Sequence, residues 1–244
     1  MTEDKSISLE EEIIKKLSWK AGIKQLVYKN TYYAFRQFND VLRKLSLEIK
    51  TKMSKINKDI VVEYSEKGNF EVHFKFAGDV LIFMMHTNVF EFPKAHEIFR
   101  TGYLREDKTR SYCGVINVYN FLSDSFKYNR INDIGYLVAR IFINKENHFF
   151  VEGKRQMAMI YNNFASKEIN QEEIKNIIGN AILYSIDFDL LVPYYDDVSQ
   201  ISVQEVFDNS NYFKIKTGKR LGFQFNADHQ SKSESPDISH LGLE

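Results

Sequence analysis

The strongest constraint on the fold is a β-hairpin predicted within residues 136–155, where two apolar runs flank a short polar turn. A three-residue loop that ends with Asn147 in the left-handed conformation places Arg140 opposite Glu152. In this register one face is entirely apolar, and it carries Leu137, Ala139, Ile141, Ile143, Phe149, Val151 and Gly153. A two-residue loop would shift the register by one position and mix charge into that face. The sequence therefore predicts that this face belongs to the core.

Two helices are predicted before the strands. Ser8 and Glu11 have the spacing of a capping box, which indicates a helix start. A second helix is expected to begin at Asn30 or Thr31, because apolar residues then recur at alternating three- and four-residue steps. These residues are Phe35, Phe38, Leu42, Leu45 and Ile49. After them the apolar period changes to two, which predicts a three-stranded meander ending in the run 80–85.

The elements after the hairpin complete an α+β prediction. A broad apolar stripe over 171–185 predicts a C-terminal helix suited to packing on a sheet, and 212–225 has the pattern of a closing hairpin. We therefore expect a mainly antiparallel sheet with two N-terminal helices and one C-terminal helix packed on it. Residues 1–226 are predicted to form a single domain. Residues 227–244 are rich in polar and charged residues and are predicted to be a disordered tail.

Composition narrows the classes of function. The chain has 33 basic and 33 acidic residues and a formal net charge of zero, so nucleic acid is an unfavourable partner. Cys113 is the single cysteine, and the first residues are polar, which together favour a cytoplasmic protein. The apolar run 80–85 is far shorter than the ~20 residues of a membrane span, so no membrane segment is expected. Phosphate-binding glycine loops are absent, and neither a cofactor nor a metal is predicted.

One short motif has a catalytic interpretation. Glu152-Gly153-Lys154 at the end of a strand resembles the Glu-x-Lys arrangement with which metal-dependent nucleases hold an ion and activate water. Asp133 is the nearest upstream acid, but it lies roughly 23 Å along the ladder from Arg140. Asp79 or Asp124, from another strand, could still supply the second carboxylate. The structural alternative is a cross-strand pair of Glu152 with Arg140, which needs no metal.

A charged segment over 91–110 is the best sequence candidate for a binding surface. Its candidate binding residues are Arg100, Tyr103, Arg105, Lys108 and Arg110. Basic groups interleaved with aromatic rings suit contact with an anion or a partner, although a solvated surface loop has the same composition. One helical turn is expected within this segment, around 95–99.

Three classes of function follow from these patterns. The first is a non-enzymatic interaction or ligand-sensing module, which needs only a curved sheet, an exposed aromatic and basic loop, and helices able to self-associate. The second is a metal-dependent nuclease that uses Glu152 and Lys154. The third is a structural or accessory subunit that binds a partner protein, or a second copy of itself, through the N-terminal helices. The first is preferred, and the chain is expected not to be an enzyme.

Overall fold

A single antiparallel sheet forms the central layer of the computed structural model, which describes residues 8–153, 164–190, 192, 194–204 and 206. The strands are β1 (Val62–Glu66), β2 (Glu71–Phe76), β3 (Asp79–Met85), β4 (Phe90–Glu91), β5 (Tyr112–Leu122), β6 (Tyr136–Asn144) and β7 (Phe149–Gly153). The strand order is β1-β2-β3-β5-β6-β7, and the short β4 also pairs with β5. The predicted three-stranded meander and central hairpin are both present in this sheet.

The two longest helices cover one face of the sheet, and two short helices lie over the other. The α-helices are α1 (Leu9–Lys16), α2 (Gly22–Ile56), α3 (Gly102–Glu106), α4 (Ser123–Lys127) and α5 (Gln171–Ile186). A π-helical turn, Leu17–Ala21, joins α1 to α2, and 3₁₀ turns occupy Glu97–Arg100, Lys108–Ser111 and Tyr195–Val198. The predicted fold class, α+β with an antiparallel sheet and N- and C-terminal helices, is confirmed. The predicted C-terminal helix corresponds to α5.

The N-terminal helices differ from the prediction at one point. The capping box is confirmed, since the Glu11 amide donates to Ser8 Oγ at 3.2 Å and the Ser8 amide donates to Glu11 Oε2 at 3.1 Å. The second helix does not begin at Asn30 or Thr31, because both residues lie inside α2. Their side chains bond elsewhere: Asn30 Nδ2 donates to the Lys145 carbonyl at 2.9 Å, and Thr31 Oγ1 donates within the helix. Residues typical of a helix start therefore make other contacts here.

Helices α2 and α5 pack together on the same face of the sheet, where they build the main core. Phe35, Phe38 and Leu42 of α2 are fully buried there. From α5 the core takes Ile174, Ile177, Ile178, Ala181 and Ile182. Helix α2 closely approaches β5 at Gly114, where a Cβ atom would lie 2.1 Å from Thr31 Oγ1. Glycine is required at this position because a side chain would push the helix off the sheet.

The central hairpin adopts the predicted register. Arg140 pairs with Glu152 and Phe142 pairs with Phe150 across β6 and β7. Asn147 has a φ of 59°, the left-handed conformation expected at the end of the three-residue loop. The predicted core face is confirmed for Ala139, Ile141, Ile143, Phe149 and Val151, all of which are buried in the main core.

Two residues of that face differ from the prediction: Gly153 is only partly buried, and Leu137 has 38% of its surface exposed. The ladder between β5 and β6 pairs Val118 with Ala139 but Tyr119 with Leu137, so Val138 is an extra residue in β6. This β-bulge reverses the alternation of side chains beyond it. Val138 is buried in the core instead of Leu137. The placement of Leu137 on the core face was therefore wrong.

The opposite face of the sheet, here called the outer face, is covered at one end by residues 92–111. Ile98 and Leu104 from this segment pack with Val115 and Phe142 in a second, smaller core. The segment contains α3 and two 3₁₀ turns, one of which overlaps the single helical turn predicted around 95–99. It is thus an ordered cover for an apolar patch and not only a solvated excursion.

Several predictions concern residues beyond this description. The closing hairpin at 212–225, the tail at 227–244 and Lys154 lie outside the described residues.

Within the described part of the chain, every helix is too short or too polar to cross a lipid bilayer.

Replacing Phe149 with alanine should lower the free energy of unfolding by about 3–5 kcal/mol, because this fully enclosed ring would leave a cavity in the main core. Urea denaturation at pH 7 measures the change. Phe90→Ala is the matched control, since 42% of the Phe90 side chain is already exposed and its removal should cost about 1 kcal/mol or less. Equal unfolding midpoints for Phe149→Ala and the parent would contradict the assignment of this face to the core.

Candidate functional site

The outer face is open along a band between two covering segments. Cross-strand pairing forms one row from Glu71, Met84, Asn117, Arg140 and Glu152. The next row contains His73, Ile82, Tyr119 and Leu137. Residues 92–111 cover the sheet on the side of Phe142, and residues 123–135 cover it on the side of Phe121. The two rows therefore form the floor of a band about two residues wide between these covers.

A pocket of about 520 Å³ lies where this band meets the second cover. Its floor consists of Ile82 and Met84 from β3 and Tyr119 and Phe121 from β5. Its roof consists of Ser125, Phe126, Asn129, Arg130, Ile131 and Asp133. The volume is within the range of about 300–1,000 Å³ that small-molecule sites occupy, and an apolar floor with a few polar groups is their usual composition.

A left-handed residue and a closely packed glycine shape the roof. Asn129 has a φ of 49°, and asparagine tolerates this left-handed conformation better than most residues. After it, the Arg130 amide donates to the Ser125 carbonyl at 2.8 Å, which closes the turn that follows α4. At Gly135 a Cβ atom would lie 2.5 Å from atoms of the Phe121 ring. A side chain at residue 135 would therefore force the Phe121 ring to shift.

The polar wall of the pocket pairs one cation, Arg130, with one carboxylate, Asp133. The side chains of Arg130 and Asp133 are only 9% and 4% exposed, and their closest charged atoms are 3.7 Å apart. Ser125 Oγ donates to Asp133 Oδ2 at 2.7 Å, and Asp124 Oδ2 lies 3.9 Å from Arg130 Nη2. Asp124 lies outside the pocket lining, so the charges of Arg130 and Asp133 cancel in the wall, and their contacts hold its polar groups in a fixed arrangement.

Aromatic rings continue from the pocket toward β2. The Phe126 ring lies 5.5 Å from the ring of Phe121 and 5.5 Å from that of His73. His73 Nε2 is 2.6 Å from Glu71 Oε1, so the imidazole is oriented by its neighbour on the same strand. Phe126 is 48% exposed, which leaves an apolar rim at the mouth of the pocket.

The basic segment predicted as a binding surface divides into two groups. Tyr103 and Arg110 belong to a folded network: Tyr103 Oη donates to Glu146 Oε2 at 2.8 Å, and Arg110 Nε donates to Glu146 Oε1 at 2.9 Å. The Arg110 guanidinium also stacks on the Tyr103 ring, 4.2 Å from its centroid. By contrast Arg100, Arg105 and Lys108 are exposed. Binding of an anion or a partner by this segment stays a prediction.

The pKa shifts of residues in this network follow from their burial and their hydrogen bonds. Burial raises the pKa of Glu146, but hydrogen bonds from Arg110 and Tyr103 outweigh it and hold that pKa below its ordinary value. Burial, and then the bond to Glu146, raise the pKa of Tyr103. Hydrogen bonds from Lys145 and Thr109 lower the pKa of Asp107 to about 2. Lys145 Nζ lies 2.5 Å from Asp107 Oδ2, so this ion pair ties the hairpin loop to the cover at 92–111.

In the Glu-x-Lys motif, Glu152 makes the cross-strand contact that was predicted as the structural alternative to metal binding. Glu152 forms an ion pair with Arg140 on the neighbouring strand. Asp133 bonds to Ser125 and faces Arg130 in the pocket wall. No cluster of three or more His, Cys, Asp or Glu residues able to hold a metal occurs among the described residues. Burial raises the pKa of Cys113, which keeps this thiol in its protonated, poorly nucleophilic form.

Sequence reasoning did not identify the pocket. Its floor residues were assigned to strands without a role, and 123–135 was not recognised as a cover. The sequence carries one local indication of this cover. Phe126 and Ile131 are apolar residues in a polar stretch that also contains Asn129 and Gly135. Such a stretch indicates a turn that packs on something, but not which part of the sheet it covers.

Comparison with known proteins adds no relative. No protein-family model matches the chain, and neither the curated proteins nor the solved structures include a match.

The Lys145–Asp107 pair should make the free energy of unfolding depend on pH in the acid range. The pKa of Asp107 is about 2 in the fold against an ordinary value of 3.8, so its stabilisation is complete above pH ~4 and is lost as the pH falls toward 2. Asp107→Asn should therefore destabilise the protein at pH 7 and make progressively less difference below pH 4. Urea denaturation across this range measures the effect. Lys145→Met should show the same trend; a constant difference from pH 7 to 2.5 would contradict it.

Glu152→Gln should change the free energy of unfolding by less than about 1 kcal/mol, because both members of its ion pair are nearly half exposed. Thermal denaturation measures this change. Isothermal titration with magnesium or manganese should give the same result for parent and variant. Metal binding to the parent that Glu152→Gln abolishes would instead favour the nuclease.

Proposed function

We propose that the protein is a non-enzymatic binding module whose small-molecule ligand occupies the pocket on the outer face. The observation that carries this proposal is the pocket itself, about 520 Å³ between the strands β3 and β5 and the cover at 123–135. The sheet supplies the floor of the pocket and a connecting segment supplies the roof. Binding sites are often built in this way, from a loop positioned by a rigid scaffold. A ligand held there would contact both elements at once.

The lining defines the chemistry of this ligand. Ile82, Met84 and Phe121 offer apolar surface to a flat ring or a short aliphatic body. The charges of Arg130 and Asp133 cancel in the wall, so a fully charged ligand group would lose its hydration there with no net opposite charge to compensate it. The expected ligand is therefore an aromatic or aliphatic molecule with a neutral hydrogen-bonding group.

Binding is favoured over catalysis by the contacts within the wall. Ser125 donates its hydroxyl proton to Asp133, and Asp133 in turn faces Arg130. These groups fix one another, which suits them to orienting a ligand. A nucleophile with an adjacent base would need a different arrangement.

Ligand-observed NMR with benzamide, benzamidine and benzoate tests the proposal, because these probes share a ring and differ in charge. Benzamide should bind in the millimolar range expected of small fragments, and benzamidine and benzoate should each bind roughly tenfold more weakly because their full charges would be desolvated beside a wall with no net charge. Met84→Trp should abolish binding by filling the pocket from its floor. Leu47→Trp is the matched control, since Leu47 lies on α2 and is 68% exposed.

Two results would contradict the proposal. One is the absence of binding to the parent by all three probes. The other is equal binding to the parent and to Met84→Trp, which would place the probes elsewhere on the protein. Circular dichroism of both tryptophan variants checks that the fold is retained.

A further inference from the structure

Helix α1 and the π-helical turn that joins it to α2 contain no buried residue. All residues from 8 to 22, here called the N-terminal arm, are exposed, and Val27 is the first buried residue of α2. At 1.5 Å per residue the arm is about 20 Å long. A helix of this length is marginal in water without tertiary contacts. The arm therefore has the properties of an element that is completed by a partner.

The arm exposes large apolar side chains to water. These are Leu9, Ile13, Ile14, Leu17 and Trp19, each about half exposed or more, with Leu9 at 74%. Leu9, Ile13 and Leu17 follow one another at four-residue steps, so they lie along one side of the helix. A contiguous apolar stripe on a surface helix is a common feature of protein interfaces.

The charges of the arm are ordered along its length. Glu10, Glu11 and Glu12 occupy the N-terminal half, and Lys15, Lys16 and Lys20 occupy the C-terminal half. Two copies in antiparallel orientation would place acids opposite bases at both ends. Two parallel copies would place acids beside acids and bases beside bases, which is unfavourable. The arm is thus complementary to itself in one orientation only.

We propose that the N-terminal arm is a dimerisation element that pairs with the arm of a second copy, antiparallel and about a two-fold axis. Such an interface is isologous, because the same stripe is used by both copies. A lipid surface is a poorer match, since three glutamates cancel three lysines and the arm has no positive excess for anionic lipids. A different partner protein would need acids and bases in the same order along a helix. A second copy of this chain already has that order.

The dimer should be reversible, because the arms alone make a contact at the small end of the range for protein interfaces. Sedimentation equilibrium of the full chain should give a dissociation constant on the order of 10–100 µM. Leu17→Ser should weaken this association at least about tenfold. Leu47→Ser is the matched control, because Leu47 is an equally exposed leucine on α2 beyond the arm and should leave association unchanged.

Charge reversal tests the contribution of the charges. The variants Glu10→Lys/Glu12→Lys and Lys16→Glu/Lys20→Glu should each fail to self-associate, since each makes the arm mostly one sign, and an equimolar mixture of the two should form a heterodimer. A chain with all four substitutions should again associate with itself, because its two ends again carry opposite charges. Circular dichroism verifies that each variant stays helical.

A parent chain that is monomeric at about 1 mM, or a Leu17→Ser variant that associates like the parent, would overturn the proposal. An assembly larger than a dimer would also overturn it. If added salt strengthened the association, the antiparallel orientation would be wrong, because screening should weaken contacts between opposite charges.

Discussion

The structure depends on the direct contact of helix α2 with strand β5, which is possible because Gly114 has no side chain. Thr31 is fully buried at this contact, and a Cβ atom on residue 114 would overlap its side chain. The neighbouring Asn30 donates to the carbonyls of Asn144 and Lys145 at the hairpin loop. Lys145 in turn holds Asp107 of the cover at 92–111. One chain of contacts thus runs from the helix layer through the hairpin loop to the outer face.

Covering the two ends of the outer face leaves the middle of the sheet open. The cover at 92–111 buries Phe142 with Ile98 and Leu104, and the cover at 123–135 packs on Phe121. Between them, side chains that a second helix layer would otherwise bury remain accessible. The proposed ligand pocket is a consequence of this architecture: it forms where a short cover ends above a continuous sheet, and a buried ion pair, Arg130 with Asp133, supports its roof.

The two N-terminal helices are stabilised in different ways. From Val27 to Ser46, α2 supplies buried side chains to the main core, so tertiary packing stabilises it there. In the N-terminal arm, which runs through α1 and the π-helical turn, the contacts are local: the capping box at Ser8 and the pair of Glu12 with Lys16, 2.6 Å apart. Local contacts of this kind each contribute little. The proposed antiparallel pairing would supply the apolar burial that the arm otherwise lacks.

The sequence by itself determined the features that depend on neighbouring residues. Period-two alternation and the turn chemistry of Asn147 were sufficient for the register of the central hairpin, and the spacing of Ser8 and Glu11 was sufficient for the helix start. The pairing of Glu152 with Arg140 followed from that same register. These predictions succeeded because strand pleating and capping are short-range effects.

Only the tertiary structure decided the features that join distant parts of the chain. Asn30 is a helix-start residue by local preference, yet it lies inside α2 because it bonds to Lys145, 115 positions away. The bulge at Val138 moved Leu137 to the outer face, and no local pattern marked it. The pocket brings Ile82 together with Arg130, and this meeting depends on where the cover at 123–135 returns over the sheet. Packing between such segments overrides local preference because burial and long-range hydrogen bonds outweigh the small energies of propensity.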